Sequence, residues 1–234
     1  MNKYINCLSL VVIACLMLSC QEQPSNLKHQ SLSKEIDAFL NNHQNFNGIV
    51  LVASDEKVIY SSIKGYNNIE EELPLEIDDH FVIGSISKQI TAVLILKAFE
   101  QNQLKLNIPI SSYLPNINQS WKDTVTIHHL LTHTHGITTI DEPLSFEIGT
   151  QFSYSQLGYE LLANILEQIE ERSFEDISMS FFKEIGLENT FHPAAKGYNL
   201  VNGYTEENDS LHFERNSLQN YVPAGSFISN TTDL

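Results

Sequence analysis

Six Ser-x-x-Lys quartets stand in the 234 residues, beginning at Ser25, Ser31, Ser54, Ser61, Ser85 and Ser180. The pattern has chemical meaning because a serine hydroxyl becomes a useful nucleophile only when a neighbour takes its proton, and a lysine can be that neighbour. Context separates the six. Ser25 lies in a polar stretch with a proline, Ser54 between two β-rich runs, and Ser61 on a strand pattern where positions i and i+3 face opposite sides. Ser31 and Ser180 belong to amphipathic helical patterns, where a lysine is simply solvated. Ser85 alone opens a helical pattern, from about Ser85 to Gln101, whose segment Ala92-Val93-Leu94-Ile95-Leu96 is apolar all round and predicts a helix buried on every side.

On such a helix Ser85 and Lys88 share one face and can touch, and the backbone N–H groups at the helix start favour negative charge developing beside Ser85. Lys88 can accept a proton only when neutral, so its pKa has to fall from about 10.4 towards roughly 7–8. That bias is about 3–5 kcal/mol, and burial and the positive helix end both supply it. The same residues also fit a plainer arrangement, a serine N-cap beside a salt-bridged lysine.

The surrounding pattern supplies the elements that would hold this site. Leu32, Ile36, Phe39 and Leu40 recur at helical spacing, with Ser31 or Ser33 as N-cap. Gly48–Ala53 and Lys57–Ile63 flank Ser54-Asp55-Glu56 and predict an antiparallel hairpin, and Phe81–Gly84 leads into the Ser85 helix. Thr126 is placed to cap a short helix through Leu131. Two amphipathic stripes follow, Leu157, Leu161, Leu162, Ile165, Leu166 and Ile169, then Phe174, Ile177, Phe181 and Ile185. No internal repeat or low-complexity run interrupts them.

Phe81-Val-Ile-Gly-Ser-Ile-Ser-Lys-Gln-Ile-Thr91 resembles the nucleophile segment of the serine β-lactamase and penicillin-binding-protein superfamily, in its class C branch. Further matches stand in family order: Gly48–Gly65, Leu130-Leu-Thr-His-Thr-His-Gly-Ile137, Gly149-Thr-Gln-Phe-Ser-Tyr-Ser-Gln156, Gly186-Leu187 and Ala224-Gly-Ser-Phe-Ile-Ser229. The resemblance runs from about Ser31 to Leu234. It implies an α+β fold, an antiparallel sheet flanked by helices with an inserted helical lobe at about 116–195, and a serine hydrolase forming an acyl-enzyme on an amide, β-lactam, D-amino-acid peptide or ester. Ser85 would be the nucleophile and Lys88 its base. Tyr154-Ser155-Gln156 occupies the place of the branch's Tyr-x-Asn element, so Tyr154 would share the proton and Gln156, one methylene longer than Asn, would contact substrate. A packed aromatic with a satisfied hydroxyl is the other reading of Tyr154. Tyr66-Asn67-Asn68 fits the triplet literally but precedes Ser85, out of order.

The family's third element, a Lys-Thr-Gly or His-x-Gly strand that donates one oxyanion N–H opposite that of Ser85, is expected after Leu234. The resemblance thus implies a C-terminally truncated form of the fold. Losing one such donor costs about 2.7–4 kcal/mol, which opens a second reading, a catalytically impaired lipoprotein that keeps the fold as a binding module.

Composition narrows the partners. With 13 Lys+Arg against 29 Asp+Glu the formal charge is −16, which argues against nucleic acid, since phosphate binding needs clustered cations. Hydrophobic residues make up 42% and Phe numbers 12, as in a folded globular chain. Residues 1–19 read as a signal peptide ending in Leu16-Met17-Leu18-Ser19-Cys20, which resembles a bacterial lipobox. Cys7 and Cys15 would leave with it, Cys20 would carry lipid, and residues 20–30 would tether the body to a membrane at the cell envelope. With no other cysteine, the mature chain offers no disulfide or thiolate metal site. His128, His129, His133 and His135 raise a third reading, since His129 and His133 have zinc-like i, i+4 spacing. No His-Glu-x-x-His or third-ligand carboxylate motif accompanies them, so neither metal nor cofactor is expected. A Gly-x-Ser-x-Gly elbow is likewise absent, leaving an α/β-hydrolase unsupported.

Overall fold

The computed structural model describes residues 24–43, 46–208, 210–214 and 219–234. The expected signal peptide, Cys20 and the first residues of the expected tether lie outside them. Two compact units are present, residues 1–65 and 66–234, each described by itself. Among the described residues no helix is long and apolar enough to cross a membrane.

The first unit holds helix α1 (Pro24–Asn42) and strands β1 (Gly48–Ser54) and β2 (Lys57–Lys64). The helix begins at Pro24, inside the stretch expected to be a tether, where proline's fixed φ suits a first turn and its missing N–H forfeits no helical bond. Ser31 and Ser33 are therefore interior residues rather than the expected N-caps. The Ser31 hydroxyl donates to the Glu35 carboxylate at 3.2 Å, and that of Ser33 donates to the His29 carbonyl at 3.0 Å, the local back-bonding open to short hydroxyls within a helix. The hairpin is antiparallel as expected, with a register shift between Val52 and Ala53. Asp55 and Glu56 turn it with φ of 50° and 62°, the left-handed pair a two-residue hairpin of matching twist requires. The Tyr60 hydroxyl donates to Asp37 at 2.7 Å and Lys64 Nζ donates to the Leu40 carbonyl at 3.0 Å, tying β2 to the helix.

The second unit combines four helices with short antiparallel strands, in keeping with the α+β class. Its helices are α2 (Ser87–Glu100), α3 (Ile127–Leu131), α4 (Leu157–Glu170) and α5 (Phe174–Ile185). Its strands β3 (Tyr66–Asn68), β4 (Leu73–Pro74), β5 (Phe81–Val82), β6 (Tyr204–Glu207), β7 (Ser210–Phe213) and β8 (Ile228–Ser229) pair as β3–β4, β5–β8 and β6–β7. The β5–β8 ladder matters most, because it joins the segment before Ser85 to the last stretch of the chain, Phe81 opposite Ser229 and Val82 opposite Ile228.

The core forms where the sequence stripes meet. Leu161, Leu162, Ile165 and Leu166 of α4 are buried against Leu94, Ile95 and Ala98 of α2 and Phe174, Ile177 and Phe182 of α5, with Ile127 and Leu130 of α3 beneath. Truncating one of the fully buried members, such as Leu162 or Ile165, to alanine removes about 2–5 kcal/mol. Helix ends follow their signals. Thr126 caps α3 in a reciprocal box, its hydroxyl accepting from the His129 N–H while His129 Nδ1 accepts from the Thr126 N–H. Ser173 caps α5 by accepting from the Asp176 N–H at 3.1 Å, and Gly186 closes that helix with φ of 78°.

Helix α2 departs from expectation. It buries one stripe, Ser87, Lys88, Thr91, Leu94, Ile95 and Ala98, while Val93, Leu96 and Phe99 are 47%, 45% and 44% exposed. An apolar run shows that burial is tolerated on every side. Within this unit α2 packs mainly against α4 and the turn at Val222–Ser226.

Candidate active site

Ser85 sits in a single 3₁₀ turn, Gly84–Ile86, immediately ahead of α2, not in its first α-turn. Gly84 makes this possible with φ of 54°, a left-handed conformation that side chains rarely adopt. The turn is anchored from behind by the Ile83 N–H, which donates to the Phe227 carbonyl at 2.9 Å. The hydroxyl of Ser85 is consequently on the surface while Lys88, one turn on, is buried at 6% exposure.

Three side chains converge. Tyr154 OH lies 2.6 Å from Ser85 Oγ and donates to it. Lys88 Nζ lies 3.5 Å from the same oxygen and stands over the Tyr154 ring, 4.5 Å from its centroid. Its firmest contact is a donated bond of 2.6 Å to the Ala224 carbonyl. Tyr154 is held below the ordinary phenol range, first by hydrogen bonding from Lys88, then by that of Ser85; burial opposes both, and the Lys88 charge adds the smallest contribution. A depressed phenol beside a serine hydroxyl is a proton acceptor in reach of a nucleophile.

The Ala224 carbonyl is a partner that motif reading did not supply. Val222–Ser226 forms a π-turn entered through Tyr221 in a left-handed conformation of φ 58°. The polar stripe of α2 fixes it in place. Thr91 Oγ1 donates to the Pro223 carbonyl at 2.7 Å and Ser87 Oγ accepts from the Phe227 N–H at 3.2 Å. Phe227 is fully buried and packs edge-on to Phe182 at 5.2 Å. The signal was present: Ser87, Lys88 and Thr91, adjacent and i, i+4 on a mostly apolar helix, need buried polar partners.

Gln156 is exposed at the start of α4, where its backbone carbonyl accepts from Tyr159 and Glu160; its side chain makes no hydrogen bond to Ser85 or Lys88 among the described residues. Three of the other five quartet serines are engaged elsewhere, Ser31 by Glu35, Ser54 by Asp55 and Ser180 by an Arg172 donor.

The histidines serve the backbone. His129 caps α3, His133 Nδ1 accepts from the Ser155 N–H at 3.1 Å and His135 Nδ1 accepts from the Ile137 N–H at 2.9 Å. Among the described residues no group of three or more His, Cys, Asp or Glu is placed to hold a metal ion. His135 is fully buried, with Nε2 lacking a partner, and burial, then the neighbouring His133 and His129, lowers its pKa to about 4.

A surface serine at a helix entrance thus stands backed by a buried lysine and a phenol on an α+β scaffold. The chain belongs to the Beta-lactamase family, whose model matches residues 32–234. It is 30% identical to "Penicillin-binding protein 4*" of Bacillus subtilis over 70% of its own length and 41% of that protein's. It is 24% identical to the teichoic acid D-alanine hydrolase of Staphylococcus aureus, over 91% of this chain and 59% of the relative. Among solved structures, a D-alanine carboxypeptidase AmpC from Burkholderia cenocepacia superimposes with a TM-score of 0.76 at 24% identity, covering 88% of this chain and 62% of that one. The chain thus spans less than two thirds of each of these three relatives.

Proposed function

We propose that the chain carries the acylation centre of a serine hydrolase that cleaves esters or amides, with Ser85 as nucleophile. The observation that carries this reading is the 2.6 Å approach of Tyr154 OH to Ser85 Oγ with Lys88 Nζ 3.5 Å from the same atom. Lys88 stabilises the phenolate, which accepts the Ser85 proton as Oγ attacks the carbonyl carbon and the negative charge passes to the carbonyl oxygen. The proton then passes from Tyr154 to the leaving alcohol or amine as its bond to the carbonyl breaks. A water molecule, deprotonated by the same group, hydrolyses the acyl-serine and restores the hydroxyl. The relatives named for D-alanine hydrolysis and D-alanine carboxypeptidase chemistry support acyl groups of D-amino acids as the first substrates to try. Gln156, exposed beside Tyr154, is the residue we assign to substrate contact.

The test is covalent capture. Incubated with a fluorophosphonate, the chain gains the mass of one phosphonyl group on the peptide containing Ser85, and Ser85→Ala gains none. Absence of labelling in both, with the chain folded by circular dichroism, overturns the proposal.

A further inference from the structure

His133 stands outside the three converging side chains, yet it grips the segment that carries one of them from both ends. Its carbonyl accepts from the Ser153 N–H at 2.9 Å and its Nδ1 accepts from the Ser155 N–H at 3.1 Å. Between these bonds its ring lies against that of Tyr154, centroids 4.8 Å apart at 35°. Tyr159 packs on it at 5.3 Å and Phe152 meets it edge-on at 5.5 Å. The residue is buried and its backbone is left-handed, φ 58°, a conformation uncommon outside glycine and asparagine. That turn is what brings the carbonyl and the ring to bear on residues 153–155.

We propose that His133 is a positioning residue that holds Tyr154 against Ser85, and that it does so only while its imidazole is neutral. The inference rests on the acylation reading of Ser85. The Ser155 N–H is a fixed donor, so Nδ1 must be the unprotonated nitrogen and the ring hydrogen must sit on Nε2. Protonating Nδ1 sets donor against donor, loosens Ser155 and frees the adjacent tyrosine. It also brings a second cation towards Lys88. The titratable groups around the ring are Lys88 on α2, Tyr154 on its own loop, Tyr159 on α4, His129 on α3 and His135 two residues on; burial and the Lys88 charge both push His133 below the usual imidazole value. The neutral, holding form therefore prevails above about pH 6.5, and acid releases it.

Two variants separate the grip from the titration. His133→Asn tolerates the left-handed turn and keeps an acceptor for Ser155 that does not titrate; His133→Ala keeps neither. Fluorophosphonate acylation of wild type falls with pH as the Tyr154 phenolate is lost, and falls more steeply once His133 takes up its proton, below the usual imidazole value of about 6.5. In His133→Asn that added acid loss disappears and only the slope set by Tyr154 ionisation remains, and in His133→Ala labelling at pH 8 falls about a hundredfold, the effect of misplacing a reacting group by an ångström. An unchanged acid limb in His133→Asn, or wild-type labelling by His133→Ala, overturns the proposal. A second readout needs no turnover: the ultraviolet titration of Tyr154, taken as the difference from Tyr154→Phe. Its depressed ionisation moves back towards about 10 in His133→Ala. If it stays where wild type has it, the positioning role is wrong; if it moves while wild type fails to label, the positioning stands and the acylation reading fails.

Discussion

In the proposed acylation, Tyr154 decides how the proton moves. The residue is half exposed, yet Lys88 and Ser85 hold its phenol below the ordinary value. A group so placed ionises earlier than a free tyrosine, and reactivity at Ser85 should climb with pH as the phenolate forms. Tyr154→Phe removes the acceptor and leaves the ring over which Lys88 stands. Acylation should drop about 10²–10⁴-fold, and its climb with pH should vanish, read by stopped-flow labelling from pH 6 to pH 10. Retention of that climb in the variant would assign the proton to another group. The sequence disclosed Ser85 and Lys88 through an apolar helix, and Tyr154 through order in a motif series. It could not disclose the Ala224 carbonyl that receives Lys88, because a main-chain acceptor 136 residues away leaves no mark in side-chain pattern. Nor does the spacing of four histidines say whether the ring nitrogens face a metal or the backbone.

At the scale of elements, periodicity located α4 and α5, whose stripes are buried as patterned, and Thr126 marked the start of α3. Where apolar character had no period, as in α2, the pattern named an element but not its partners, and the exposed Val93, Leu96 and Phe99 follow from that. The tether shows the opposite failure. A polar stretch without stripes becomes helix from Pro24 because nothing in it breaks one. One junction between elements is tight enough to test. A Cβ placed on Gly158 of α4 would meet His135 Nε2 at 2.7 Å, and His135 is fully buried. Gly158→Ala gains helix propensity but forces that ring aside, an overpacking that costs about 1–3 kcal/mol. Adding His135→Ser should recover most of the loss, since the atom being struck is gone. Chemical denaturation of the two single variants and the double variant measures the coupling. Strict additivity would mean that ring and helix do not meet as described.

For the molecule as a whole, acid stability turns on the same buried ring. An unfolded histidine takes up a proton below about pH 6.5, whereas folded His135 does so only near pH 4. Between those values the unfolded chain binds the extra proton, so stability falls as pH falls, and the neutral ring's contribution is complete only above the unfolded value. The full span is worth up to about 3 kcal/mol. His129, His133 and His192 are shifted the same way by burial and add to the loss. Glu160 works against them. Burial, then Glu167, raises its pKa, so its folded form takes a proton before its unfolded form does as pH falls. Protonation of the other carboxylates on a chain of charge −16 also relieves repulsion as pH drops. These terms are shared by wild type and His135→Asn, in which the amide oxygen can still accept from the Ile137 N–H. Comparing urea unfolding of the two at pH 7 and pH 4.5 therefore isolates the ring: the variant starts less stable and loses less on acidification, so the gap narrows or reverses. Parallel loss in both proteins would place the acid sensitivity in groups the two share, His129, His133 and His192 among them, and the ring at 135 would then be titrating alike in the folded and unfolded chain.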